Sequence, residues 1–228
     1  VSEPIPETDG EQESQDAPAA TEAPEPGQEQ GPAQEPEDVD LSAPADLLNL
    51  SAEELVGDRE GSDGTLPVIL LESAGAEEIN RDIDGRFGYL VGEEYCRLHY
   101  EAYKGDNGRF LSVLVVTGYD NDFTAYMPYI LDLADGSRLR GRELLSLLDV
   151  STEALTSEQL DLMGAEFEYQ YGSSRDAVGQ AFYEEQLART VAPENAELDR
   201  VWLGSGGQLM FVGRIYSLAG AEFYEYPM

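Results

Sequence analysis

The sequence predicts an α+β fold: an antiparallel β-sheet with helices packed on it, preceded by a disordered acidic N-terminal tail. Three observations predict it. In "EYCRLHYEAYKGDNGRFLSVLVV", residues 94–116, two β-type runs flank an Asn-Gly pair, a strong hairpin signal. In "AGAEEINRDIDGRFGYL" the residues Ala76, Ile79, Ile83, Phe87 and Leu90 recur at steps of three and four, which is one face of an amphipathic helix. Residues 1–45 carry almost no large apolar side chains, so they bury too little surface to offset the entropy of ordering the chain. Residues 46–228 are expected to form a single domain.

Charge narrows the partners. Residues 1–40 hold 13 of the 47 acids and no Lys or Arg, which with their prolines makes an extended, self-repelling stalk. The remainder, at 34 acids against 13 bases, is acidic as well. A chain so charged is repelled by nucleic-acid phosphates and anionic lipid, so no nucleic acid is expected among its partners. No apolar run approaches the roughly 18 residues of a transmembrane segment. The chain begins at Val1, and such a lead-in suits a stalk behind an envelope anchor carried on a removed upstream segment; the other reading is an intracellular tail. One cysteine makes no intrachain disulfide and leaves the compartment open.

Order is expected to begin at "NLSAEELVGD", where Ser51 and Glu54 form a capping box. "GTLPVILLE" then gives a strand over Leu66–Glu72, and the Ala76–Leu90 stripe a helix. Along the next strand Cys96, Leu98, Tyr100 and Ala102 share one face, while Tyr95, Arg97, His99, Glu101 and Tyr103 share the other. "FLSVLVV", Phe110–Val116, is apolar nearly throughout and predicts a central strand covered on both faces. "FTAYMPYILDLADGSRL" follows as a strand, with Pro128 marking an irregularity or an edge. "GRELLSLLD" and "TSEQLDLMGAEFEYQYG" predict helices, the second opening on a Thr156–Gln159 capping box. "SSRDAVGQAFYEEQLARTVAP" predicts one more, burying Val178, Ala181, Phe182 and Leu187 and closed by Pro193. A hairpin around Gly204–Gly207 ends the chain.

Cys96 and His99 are the only cysteine and histidine, and they sit on opposite strand faces. They therefore cannot act as a nucleophile and base within that strand, nor supply a His/Cys zinc site. Cys96 is expected to pack as a small apolar residue and His99 to lie on the surface beside Arg97 and Glu101. Asp120 and Asp122, like Asp132 and Asp135, lack EF-hand spacing. "GSGG" lacks the Lys-Ser/Thr of a phosphate loop and is a turn; no cofactor is expected. Thirteen tyrosines are available for sheet packing or for a contact surface. The candidate binding residues are Tyr95, Arg97, His99, Glu101, Tyr103, Tyr119, Tyr126 and Tyr129.

The segments "LPVILLESAGAEEINRDI", "NGRFLSVLVV", "YILDLADGSRLRGRELLSLL" and "GGQLMFVGRIYSLAGAEFYEYPM" resemble the extracellular domain shared by RsiV-type anti-sigma factors and PdaC-type peptidoglycan deacetylases, from about Leu66 to the end. The resemblance implies a bacterial α+β domain outside the membrane, secreted or lipid-anchored, that is not itself a catalyst. In RsiV-type proteins this domain binds lysozyme; in the deacetylases it accompanies a separate catalytic domain. It implies here a sensor or binding module for a basic envelope protein or for peptidoglycan. Two other readings stand beside it: a cell-wall enzyme working through paired carboxylates, and a structural spacer.

Overall fold

The computed structural model describes residues 46, 47, 49–105, 108–219 and 222–228. The expected disordered stalk, residues 1–45, and the Asp106–Asn107 tip of the expected hairpin lie outside them.

The expected capping box opens the fold. Ser51 Oγ accepts from the Glu54 N–H, and the Glu54 carboxylate accepts from the Ser51 N–H, starting α1 (Ala52–Leu55). One turn later the chain enters β1 (Val56–Asp58), which pairs antiparallel with β2 (Pro67–Ile69). The strand expected over Leu66–Glu72 is thus shorter and belongs to a separate two-stranded ribbon. Asn80 explains why β2 gains no further strand: its side-chain amide accepts from Ile69 N–H at 2.8 Å and donates to Ile69 O at 2.9 Å, filling a neighbour's place. Asn80 sits on α2 (Ala74–Phe87), capped by Ser73, whose Ala76, Ile79 and Ile83 are fully buried as the periodicity predicts. Gly75 is required at its start, since a Cβ there would lie 2.3 Å from the Arg138 backbone nitrogen.

β3 (Cys96–Lys104), β4 (Phe110–Tyr119), β5 (Thr124–Asp132) and β6 (Arg138–Leu139) form an antiparallel sheet in chain order. β4 is buried from Phe110 to Thr117, as a strand apolar on both faces should be. Its Leu111, Val113 and Val115 pack with Leu98 and Leu131 on the α2 side; its Phe110, Leu114 and Val116 face the other way. β6 reaches only Ile130 and Leu131 of β5, so Pro128 stands on an open edge where its missing N–H forfeits no ladder bond. At the far end of β5, Arg109 and Asp132 form a buried bidentate pair of 2.9 and 2.6 Å.

The helices after the sheet depart from expectation in two places. α3 (Gly141–Leu147) is followed by α4 (Thr152–Tyr171), capped by Ser151 rather than by Thr156. Two capping signals compete there, and the earlier one wins because the added turn buries Leu155. Thr156 and Gln159 therefore lie inside α4. The helix expected from 173 onward is broken at Gly179, whose φ of 88° splits it into α5 (Arg175–Val178) and α6 (Gln180–Thr190). The break rephases the buried face: Tyr183, Gln186 and Thr190 go inside, while Phe182 is 40% exposed and Ala181 is exposed. Val178 and Leu187 still pack against the core.

β7 (Val201–Leu203), β8 (Leu209–Tyr216) and β9 (Phe223–Pro227) make a second antiparallel sheet, where a single sheet was expected. Trp202, Leu203 and Val212 pack on Phe110, Leu114 and Val116 of the first sheet, with Leu144 of α3 between. Met163 and Phe167 of α4 and Tyr183 of α6 cover the opposite side through Val201, Phe211 and Ile215. The order of layers is α2, first sheet, second sheet, then α4 with α6, an α+β fold. No helix among the described residues is long and apolar enough to cross a membrane.

A charged clamp joins the sheets. Arg200 donates to both Glu225 oxygens at 2.6 Å and to Tyr126 O, while Glu225 accepts from Tyr126 N–H at 3.2 Å. Burial raises the Glu225 pKa, but the Arg200 hydrogen bonds and charge outweigh it, with Tyr126 N–H and Arg214 adding, and hold the carboxyl below its ordinary 4.5. A depressed folded-state pKa contributes stability that is present above that ordinary value and is lost as pH falls through the lower one. Glu225→Gln should therefore cost about 3 kcal/mol in urea unfolding at pH 7, by leaving the largely buried Arg200 with Glu197 alone as counter-charge. The gap between variant and wild type should close as pH drops below 4.5.

Candidate functional site

Strand alternation turns His99, Glu101 and Tyr103 of β3, Leu114 and Val116 of β4, and Thr124 and Tyr126 of β5 to the face opposite α2. The second sheet covers only part of that face. Between them opens a cleft of about 480 Å³, completed by Trp202, the Gly204–Ser205 turn, Gln208, Met210 and Pro227. Leu114, Val116 and Trp202 are almost fully buried and give it an apolar floor. His99 and Glu101 are exposed at its rim, and Tyr103 and Tyr126 are half-buried along its walls. Tyr126 is held there by its backbone, through the Arg200–Glu225 clamp behind it.

Four of the eight candidate residues thus come together: His99, Glu101, Tyr103 and Tyr126. Tyr95 and Arg97 are exposed and do not line the cleft. Tyr119 belongs instead to a row of rings, 6.2 Å from Phe123, which lies 6.0 Å from Phe223. Tyr129 is corrected outright: it is 2% exposed in the core on the α2 side, with the Arg138 guanidinium over its ring. Its odd-numbered place on β5 puts it on that face. Sequence reasoning passed over Trp202, Ser205, Gln208 and Met210. The available signal was the chain's only tryptophan placed directly before a glycine-rich turn.

Cys96 packs toward the α2-side core while His99 faces the cleft, so the opposite-face expectation holds. Burial, then Asp120 and Glu93, raise the Cys96 pKa and keep it a thiol. Among the described residues no group of three or more His, Cys, Asp or Glu is placed to hold a metal ion. Asp132, weighed for calcium, is engaged by Arg109.

The cleft is suited to a cation. The Tyr103 hydroxyl donates to Glu101, and burial followed by that hydrogen bond and charge pushes its pKa up to about 12. Burial and then the charge of Glu101 raise Tyr126 as well. Both phenols therefore stay protonated at neutral pH and present ring faces beside a carboxylate. Among the described residues lining the cleft none is Lys or Arg. Aromatic faces with a carboxylate attract an ammonium or guanidinium group. The buried Trp202 indole N–H has no hydrogen-bond partner among the described residues.

Comparison with family models, with curated proteins and with solved structures finds no match in any of the three. The site is therefore read from its own chemistry. Glu101→Gln should move the Tyr103 pKa from about 12 part of the way toward 10.0, since burial remains and the charge does not. Tyrosine ¹³Cζ shifts followed against pH would show it, and an unmoved Tyr103 would mean that Glu101 does not govern the phenol.

Proposed function

We propose that this chain is a non-enzymatic binding or sensor domain, held outside the cell by an envelope anchor. Its cleft takes a cationic side chain of a basic, lysozyme-like protein. The observation that carries this reading is the cleft itself: Trp202, Tyr103 and Tyr126 beside Glu101, with no Lys or Arg among its described lining residues. The net charge of −34 supports it, because an acidic chain steers basic partners toward itself. The resemblance to the RsiV- and PdaC-type extracellular domain and the Pro- and Glu-rich lead-in support the location. Cell-wall glycan is the second ligand class, favoured by the ring faces and by Ser205 and Gln208 on the rim. The paired-carboxylate enzyme finds less support, since Glu101 is the one carboxylate among the described residues that line the cleft.

Calorimetric titration of the whole chain with a lysozyme, repeated at rising salt, tests the reading. Saturable binding is expected to persist at about 0.15 M salt, where charges beyond a Debye length of ~8 Å are screened. Glu101→Gln should weaken it roughly tenfold, the ~1.5 kcal/mol of a charge-assisted hydrogen bond. Binding that vanishes with salt in both proteins would reduce the attraction to net charge. Binding of peptidoglycan fragments but not of lysozyme would transfer the cleft to the glycan.

A further inference from the structure

β3 is the edge of its sheet: it pairs with β4, and among the described residues no strand pairs with its other side. The phase of the ladder tells which groups that edge presents. Gly105 N–H bonds Phe110 O and Asp120 N–H bonds Tyr95 O, so the odd-numbered residues between exchange bonds with β4. The even-numbered residues turn N–H and C=O outward. Glu93 O takes the N–H of Cys96, which leaves Leu98, Tyr100 and Ala102 facing out. An edge of nine residues without proline or bulge is a template for another strand.

The occupant is written in the side chains. Taken outward from His99 in both directions, the strand matches its own reversal: Leu98 with Tyr100, Arg97 with Glu101, Cys96 with Ala102, and Tyr95 with Tyr103. We propose that two copies of this chain pair antiparallel through their β3 edges about a twofold axis at His99. Leu98 and Tyr100 then exchange both backbone hydrogen bonds with Tyr100 and Leu98 of the second copy. Arg97 falls opposite Glu101 of the second copy in a non-hydrogen-bonded pair, the closer of the two spacings at roughly 4.5 Å between Cα atoms. The symmetry makes that ion pair twice.

Both partners are available for it. Arg97 is exposed and makes no ion pair among the described residues, although acids outnumber bases 47 to 13 in the chain. Glu101 is exposed and receives the Tyr103 hydroxyl on Oε2, with no ion pair among the described residues. The register is selective as well. Moving the axis to Arg97 or to Glu101 sets like charges opposite each other, and placing it at Leu98 or Tyr100 leaves both charges without a counter-ion. The net charge opposes any self-association, so the pair forms where salt screens the body charge while adjacent ions still meet, at about 0.15 M. Glu101 also stands on the cleft rim, so pairing and capture of a cation there exclude one another. Support for the pairing comes from the edge and its charges, not from the identity of the cleft's ligand.

Sedimentation of the full chain at about 0.15 M salt is expected to show a monomer–dimer equilibrium. Arg97→Glu alone and Glu101→Arg alone, each setting like charges together twice, should each weaken dimerisation at least tenfold. Mixing these two variants should restore it, because every contact in the mixed pair is again acid against base; the mixture also proves that both variants fold. His99→Cys should cross-link across the axis on mild oxidation. A wild-type chain that stays monomeric into the high-micromolar range overturns the proposal. A dimer indifferent to either charge reversal, or two variants that do not rescue each other, overturns it equally.

Discussion

The second sheet sits where it does because of what Arg200 and Glu225 do to Tyr126. β6 covers only Ile130 and Leu131, so the first half of β5 has an open edge, and a buried edge with unmet N–H and C=O groups is costly. The clamp meets both groups of Tyr126 with side chains of opposite charge, which satisfy each other as well. Desolvating two ions is repaid only when their geometry and remaining bonds are complete, and here Glu197 and Arg214 supply the rest. Apolar contact between Trp202 and Leu114 is non-directional and would tolerate sliding; the clamp fixes the offset. That offset leaves His99, Glu101 and Tyr103 uncovered, so the cleft is a consequence of where the sheets are pinned.

Local patterns were legible and distant consequences were not. The capping box at Ser51, the stripe from Ala76 to Leu90, the β3–β4 pairing and the opposite faces of Cys96 and His99 all follow from periods of 3.6 and 2. Period 2 separates faces without saying which one meets solvent. β4 is apolar on both sides, so nothing in its sequence tells that its Leu114 side is half covered by a sheet arriving about ninety residues later. Residue type alone suggests a contact role for Tyr129, whereas its position on β5 shares the buried face of Leu131. Phe182 failed for another reason: a period carried through Gly179 assumes right-handed backbone, and a φ of 88° resets the phase.

The arginines show how an acidic chain spends its few bases. Arg109, buried, and Arg200, largely buried, form pairs that fix strand ends and sheets, while Arg59, Arg138 and Arg214 tie neighbouring elements nearer the surface. What remains for function is set by which charges those pairs leave unmatched. Arg97 is one, and the carboxylate of Glu101 at the cleft is another. Both lie on β3, four residues apart.

On a strand the side chains stand perpendicular to the sheet, while the backbone groups lie in its plane. One edge strand can therefore present two surfaces at right angles. The odd side chains of β3 turn Glu101 and Tyr103 to the cleft; its even residues turn Leu98 and Tyr100 amides to the open edge. Glu101 belongs to both surfaces because a rim carboxylate at the edge of a sheet reaches across as well as inward. Arg97, exposed and outside the cleft lining, belongs to the edge alone. A change at Glu101 removes a direct contact from ligand capture and from self-pairing together, whereas a change at Arg97 removes one from self-pairing alone. That asymmetry is fixed by strand geometry and by which residue lines the cleft, whatever the strength of either interaction.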